Sequence, residues 1–247
     1  MNLRRGRWLW LVLALVFAVA GAFVIWGLTP SQPMPQALEA LRSDANVQVI
    51  QGRWLVFTPL QATPKMGFIL YPGGHVDARA YDPAARALAT QGSLVVIVKM
   101  PLSLAVLGSD SASQVLKAYP QITTWAIGGH SLGGAMAAFY VYKHPQAMRG
   151  LVLWAAYPAS NASLASSSVA VISMYGTHDG LAAEFITGTS RALLPDSTTW
   201  LPIEGGNHGQ FGWYGVQAGD GVATISREAQ QEQVTKATAQ FLANLAQ

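Results

Sequence analysis

Beyond residue 45 the chain alternates short, largely apolar runs with stretches in which apolar residues recur every three or four positions. The runs Gly67–Tyr71, Leu94–Lys99, Thr123–Ile127, Leu151–Ala155, Val169–Tyr175 and Thr198–Ile203 predict strands. The stretches Ala78–Thr90, Ser109–Ala118, Leu132–Lys143, Leu181–Leu194 and Arg227–Ala246 between and after them predict helices. Strands that are apolar along their whole length must be covered on both faces, which calls for a mostly parallel central sheet with helices on either side. Ahead of this alternation, Val47–Ile50 and Trp54–Phe57 read as a hairpin closed by Gln51-Gly52-Arg53, and Ala37–Arg42 as a short helix. No repeat and no second boundary interrupts residues 45–247, so they form one domain.

The N-terminal pattern is different. Trp8 to Leu28 is a run of 21 residues without a charge, preceded by Arg4, Arg5 and Arg7. That is long enough to cross a bilayer as a helix, and basic residues in front of it favour keeping the N-terminus in the cytoplasm. Ala18-Val19-Ala20 fits a signal-peptide cleavage site, but the apolar run continues through Ala22 to Trp26 and favours an uncleaved anchor. On the first reading the domain is secreted; on the second it is membrane-anchored through residues 8–28 and faces away from the cytoplasm. Residues 29–44 then form a linker and lead-in, with three prolines between Thr29 and Gln36 that predict a stiff extended spacer.

Charge adds little beyond this. Of 15 basic and 12 acidic residues, the three arginines are the only charges in residues 1–28, so the remainder balances at 12 of each. The high isoelectric point therefore belongs to the leader and gives no reason to expect a nucleic-acid partner. The chain has no cysteine, which excludes disulfides, a thiol nucleophile and cysteine-ligated metal. The five histidines show neither H-x-x-x-H nor H-E-x-x-H spacing, so a metal site built on His75, His130, His178 and His208 has no local motif behind it.

The chemistry gathers at Gly129-His130-Ser131-Leu132-Gly133-Gly134. It contains G-x-S-x-G between a predicted strand and a predicted helix, the setting in which a serine sits on a sharp turn between small neighbours and exposes its hydroxyl above the sheet. The Leu132 N–H, first in the helix, can then face an oxyanion. A serine hydroxyl is a poor nucleophile alone and needs a base within reach and a group to orient that base. Asp179 follows the strand ending near Tyr175, and His208 follows the last strand. Both fall at carboxyl ends of parallel strands, where such sheets build their sites. Glu204 and Asp220 are alternative acids, and Asp179 has the alternative role of a helix cap.

With Tyr71-Pro72-Gly73-Gly74-His75, the serine motif, Gly176-Thr177-His178-Asp179 and Gly205-Gly206-Asn207-His208 in this order, residues 45 to 245 resemble the α/β-hydrolase superfamily, near its small dienelactone-hydrolase-like branch. The resemblance implies an α/β-hydrolase fold, Ser131 as nucleophile, Asp179 as acid and His208 as base, with no cofactor. It implies an oxyanion hole from Leu132 and one of Gly73, Gly74 and His75, with Gly74 preferred; Tyr71-Pro72 replaces the His-Gly common in the superfamily. Only Ala156 to Ser168 separates the strands where many members carry a cap, so no substantial lid is expected. His75, His130, Phe211, Trp213 and Tyr214 are the candidate pocket residues. The activity implied is hydrolysis of a small-molecule carboxylic ester, with a lipase, a thioesterase or a non-catalytic binding scaffold as alternatives; no feature speaks to oligomeric state.

Overall fold

In the computed structural model, which describes residues 3–247, the apolar runs pair into one eight-stranded sheet: β1 (Val47–Gln51), β2 (Trp54–Pro59), β3 (Met66–Tyr71), β4 (Leu94–Val98), β5 (Thr124–His130), β6 (Gly150–Trp154), β7 (Ala170–Gly176) and β8 (Thr199–Ile203). The spatial order is β1-β2-β4-β3-β5-β6-β7-β8. The β1–β2 hairpin and its contact with β4 are antiparallel, and every other pairing is parallel. β3, β4 and β6 are buried at every position, as their unbroken apolar sequences require.

Helices cover both faces. On one, Phe68, Leu70 and Trp154 pack with Ala84 and Leu88 of α3 (Asp82–Thr90) and with Val234 and Leu242 of α7 (Arg227–Leu245). On the other, Ile69, Val96, Ile127 and Leu151 pack with Val115 of α4 (Ala112–Ala118) and with Ala137 and Val141 of α5 (Leu132–Lys143). The strand order reverses at β3: β4 lies on one side of it and β5 on the other. In an open α/β sheet, ligands bind in the crevice beyond the carboxyl ends of the strands at such a reversal.

Some boundaries differ from the sequence pattern. The helix expected over Ala78–Thr90 begins as a 3-10 turn, Ala78–Tyr81, capped by the Asp77 side chain, and continues as α3 where Asp82-Pro83 restarts it. The helix expected over Leu181–Leu194 is two pieces, α6 (Ala183–Thr187) and a 3-10 turn (Thr189–Leu193), separated at Gly188. No regular element lies between β6 and β7, so the sheet carries no cap there.

The N-terminal helix α1 (Leu3–Gly27) contains a span, Trp10–Gly27, long and apolar enough to cross a membrane. The segment after it is not a free spacer. The Ser31 N–H donates to His75 O (2.9 Å), the Asp77 N–H to Ser31 O (3.0 Å) and the Met34 N–H to Trp213 O (2.7 Å). A short helix, α2 (Pro35–Glu39), then buries Ala37 against the domain. The prolines make the segment extended, and the Ser31 and Met34 backbone groups tie it to loops of the domain.

Candidate active site

β5 delivers Ser131 to the sheet edge, and α5 starts at the next residue. Ser131 has φ 52° and ψ −124°, a conformation that costs a non-glycine residue on the order of 1–3 kcal/mol. The surroundings enforce it: the Ser131 N–H donates to Trp154 O at 2.9 Å, and the Ala135 N–H donates to Ser131 O at 3.0 Å. The small neighbours are a steric necessity. A Cβ on Gly133 would stand 2.2 Å from Tyr71 O, and one on Gly129 2.5 Å from the carbonyl carbon of Gly133.

His208 follows β8 through Gly205, which has φ 71°. Its Nδ1 lies 2.9 Å from Asp179 Oδ2, and both side chains are buried. With a carboxylate as partner, Nδ1 carries the proton, which leaves the Nε2 lone pair as the basic position. That Nε2 has no hydrogen-bond partner among the described residues. The other Asp179 oxygen accepts from the backbone N–H groups of Leu181 (2.8 Å) and Ala182 (2.7 Å). Capping and holding the histidine are therefore simultaneous, and the local turn fixes the carboxylate that orients the ring.

The other two acids do something else. Glu204 is exposed. Asp220 gathers backbone: Oδ1 accepts from His208 N (3.1 Å), Gly180 N (3.2 Å) and Gly221 N (2.8 Å), and Oδ2 from Gly209 N (2.7 Å). It ties the Asp179 loop to the His208 loop. Gln230 of α7 exchanges hydrogen bonds with the Asn207 backbone (3.0 and 2.8 Å), and Arg227 binds the carbonyls of Gly209 and Gly215. Sequence reasoning assigned none of these three residues such a role; Asp220-Gly221, an acid in a glycine-rich loop, was the available signal.

Ser131 and His208 line one cleft of about 410 Å³ with Leu132, Ala135 and Met136 of α5, Ala155 and Ala156 after β6, and Leu181 and Ala182 after Asp179. The loop after β3 lies beside it. Of the three candidate oxyanion donors there, the Gly73 N–H donates to Tyr81 Oη (3.0 Å) and the His75 N–H to Ser103 O (2.8 Å). Gly74, whose Cβ would touch Leu132 Cδ2 at 3.0 Å, keeps its N–H without an acceptor among the described residues.

The candidate pocket residues need correction, because none of them lines this cleft. Phe211, Trp213 and Tyr214 are buried, and Phe211 and Tyr214 pack around His130 behind the His208 ring. Large aromatic surfaces in that loop are used to fill core. His130 packs against His208 with ring centroids 4.6 Å apart, and its Nδ1 meets Tyr81 Oη at 2.8 Å. The same tyrosine oxygen accepts from the Gly73 N–H, so Tyr81 joins the loop after β3 to His130. Burial, and then the neighbouring His208, holds the His130 pKa well below 6.5, so it stays neutral. His75 lies outside the cleft against α1, His178 Nδ1 meets Val222 O (2.8 Å), and His144 pairs with Asp110 (2.7 Å). The histidines are thus committed to separate contacts, and no group of three His, Asp or Glu among the described residues is placed to hold a metal.

Solved structures share this architecture at low sequence identity. A predicted CIB-like hydrolase from Thermoplasma acidophilum aligns over 81% of this chain and 98% of its own, with TM-score 0.60 and 14% identity. The butyrate-bound esterase Est2 of Thermogutta terrifontis aligns over 81% and 94% (TM-score 0.58, 12% identity), and the carboxylesterase CesB of Bacillus subtilis over 85% and 95% (TM-score 0.59, 13% identity). No curated protein sequence matches the chain. The model of one family, described as the alpha/beta hydrolase family, matches residues 67–232, from β3 into the second turn of α7 and across every loop that builds the cleft, and the chain belongs to that family.

Proposed function

We propose that the protein is a serine hydrolase of carboxylic esters, working through an acyl-enzyme on Ser131. One observation carries the reading: the buried Asp179–His208 pair, whose Nε2 has no hydrogen-bond partner among the described residues, borders the same cleft as Ser131 on its strained turn. Ser131 Oγ attacks the ester carbonyl carbon while its proton passes to His208 Nε2, and Asp179 stabilises the imidazolium. The oxyanion formed is met by the N–H groups of Leu132 and Gly74, preorganised donors of which each is worth roughly 10²–10³ in rate. Collapse breaks the bond to the alcohol oxygen, which leaves with the proton from His208. Water, giving a proton to the same Nε2, then attacks the acyl carbon; collapse returns that proton to Ser131 and frees the acid. The steps need no cofactor.

Est2 of Thermogutta terrifontis has been observed with butyrate and with propionate, phosphorylated by paraoxon and phosphonylated by sarin. A fluorophosphonate probe is therefore a direct test here. Labelling of the full chain that disappears in a folded Ser131→Ala variant supports the reading, and a wild type that resists labelling overturns it in favour of a non-catalytic scaffold.

Separately, we propose that the domain lies outside the cytoplasmic membrane on an uncleaved α1. The arginines ahead of Trp8 support that orientation, and the packing of Trp26 and Gly27 on the domain supports retention of the helix.

Tyr81 gives a prediction of its own. Tyr81→Phe strips an acceptor from the Gly73 N–H and a hydrogen-bond partner from His130 Nδ1, both buried, and is expected to cost about 1–3 kcal/mol of stability. Because Gly73 adjoins the Gly74 donor, kcat on a soluble ester should fall roughly tenfold with KM little changed, a fraction of the full oxyanion contribution. Equal kcat in the two proteins would show that the loop keeps its position without the tyrosine.

A further inference from the structure

The geometry points to a bilayer lying on the active-site edge of the sheet, and to a membrane-resident amphiphilic ester as the substrate. The second part rests on the serine-hydrolase reading; the first does not.

The decisive feature is where α1 meets the domain. Its side chains from Trp10 to Trp26 are exposed apart from the half-buried Val12, and it touches the domain at its last turn. There the Trp26 indole stacks on His75 with ring centroids 4.1 Å apart and planes 6° from parallel, and His75 Nε2 lies 2.7 Å from Trp26 O. Gly27 is buried on Leu102, where even a Cβ would come within 2.7 Å of the Leu102 Cβ. His75 is the residue after Gly74, and Leu102 lies in the loop after β4. The helix therefore leaves the domain from the carboxyl edge of the parallel strands, beside Ser131.

Once α1 spans a membrane, this fixes the membrane plane. Trp10 and Trp26 are 16 residues apart, about 24 Å along a helix, so they sit near the two ends of a hydrocarbon core about 30 Å thick, where tryptophan is favoured. The interface at Trp26 then passes beside His75 and Gly74. The surrounding surface suits that depth. Loops 100–109, 155–169 and 209–219 contain no Asp, Glu, Lys, Arg or His. Leu28, Val106 and Leu107 are about half exposed or more, and Val216, next to the cleft residue Gln217, is 98% exposed. Single exposed apolar residues are ordinary. Four on the edge from which a membrane helix departs, in loops without charge, form a surface matched to lipid.

A cleft opening at that interface meets esters whose carbonyls lie just below the headgroups, with acyl chains long enough to stay in the bilayer. The small, apolar lining from Ala135, Met136, Ala156 and Leu181 accepts such a chain.

The cysteine-free sequence makes the test direct. Full-length chain carrying Leu107→Cys, Val216→Cys or Gln91→Cys, each labelled with an environment-sensitive fluorophore, is reconstituted into phosphatidylcholine vesicles. Gln91 precedes β4 and so marks the opposite edge of the sheet. Nitroxide lipids should quench the labels at 107 and 216 and leave the one at 91 untouched; equal access of an aqueous quencher to all three overturns the membrane face. For the substrate, diacylglycerol in the vesicles is compared with p-nitrophenyl butyrate in solution. Leu107→Glu should lower the ratio of kcat/KM for the vesicle-borne over the soluble ester tenfold or more, and an unchanged ratio overturns the assignment. Absence of fluorophosphonate labelling in the wild type removes the substrate along with the hydrolase reading, while the quenching still decides the membrane face.

Discussion

Ser131→Ala is expected to lower kcat for a soluble acyl ester by about 10⁵–10⁶, and His208→Ala by a similar factor, with the double variant no worse than either alone. The non-additivity follows from the proposed mechanism: without the base the hydroxyl stays protonated, and without the hydroxyl the base has nothing to activate. Asp179→Asn should cost about 10⁴, because an amide in place of the carboxylate can hold the ring in the wrong tautomer. Position 131 also carries a stability signature of opposite sign. Ser131 is held at φ 52°, so Ser131→Gly should raise stability by about 1 kcal/mol while it removes turnover. A more stable, inactive variant is the mark of strain kept for a function. Ester turnover measured beside urea denaturation checks both, and more than about a hundredth of wild-type activity in Ser131→Ala would remove the serine from the mechanism.

How much of this was legible follows from what each feature depends on. The serine turn was readable because its requirements are local: an apolar strand, a helix start, and glycines at 129 and 133 where backbone atoms of Tyr71 and Gly133 leave no space for a side chain. Asp179 and His208 followed from their positions after β7 and β8, and the structure brings the two side chains together at 2.9 Å. Gly74 was preferred among Gly73, Gly74 and His75 without a local reason, because what separates the three is Tyr81 Oη and Ser103 O, which occupy the other two N–H groups from other parts of the chain. The aromatic loop misled for a related reason: Phe211 and Tyr214 follow the histidine in sequence, but the turn after His208 carries them behind the ring to enclose His130. The Pro-rich segment read only as a stiff spacer because the backbone partners of Ser31 and Met34 lie in loops distant in sequence. Local sterics and the places of the acid and the histidine after their strands could be read from the sequence; which backbone N–H groups the neighbouring loops occupy could not.

Asp82 sets the other large expectation, a stability that falls as pH rises. It is the first residue of α3, fully buried, and neither carboxyl oxygen has a hydrogen-bond partner among the described residues. Burial, and then the nearby Asp77, pushes its pKa up to about 8, against the favourable but weaker pull of Arg79, Lys99 and Arg86. In the unfolded chain the group titrates near the ordinary value of 3.8. Between these values the folded protein holds a proton that the unfolded chain has released, so unfolding releases protons and stability declines with pH. The decline should begin near pH 4 and level off above about pH 8. Over the displacement from 3.8 to about 8, at about 1.36 kcal/mol per unit, its ceiling is roughly 6 kcal/mol, and relaxation around the carboxylate should bring it to about 2–4 kcal/mol. His130 works the other way at the acid end, since a pKa held well below 6.5 adds stability as pH rises toward that value. A comparison of wild type with Asp82→Asn cancels that contribution. The two proteins should have similar urea midpoints near pH 4, with the variant increasingly more stable up to about pH 8 and the m-value unchanged. Parallel curves from about pH 4 to 9 would mean that Asp82 ionises in the fold as it does in the unfolded chain. A diverging pair would identify a carboxylic acid that keeps its proton at neutral pH at the start of α3, next to Tyr81 and the loop after β3 that Tyr81 holds.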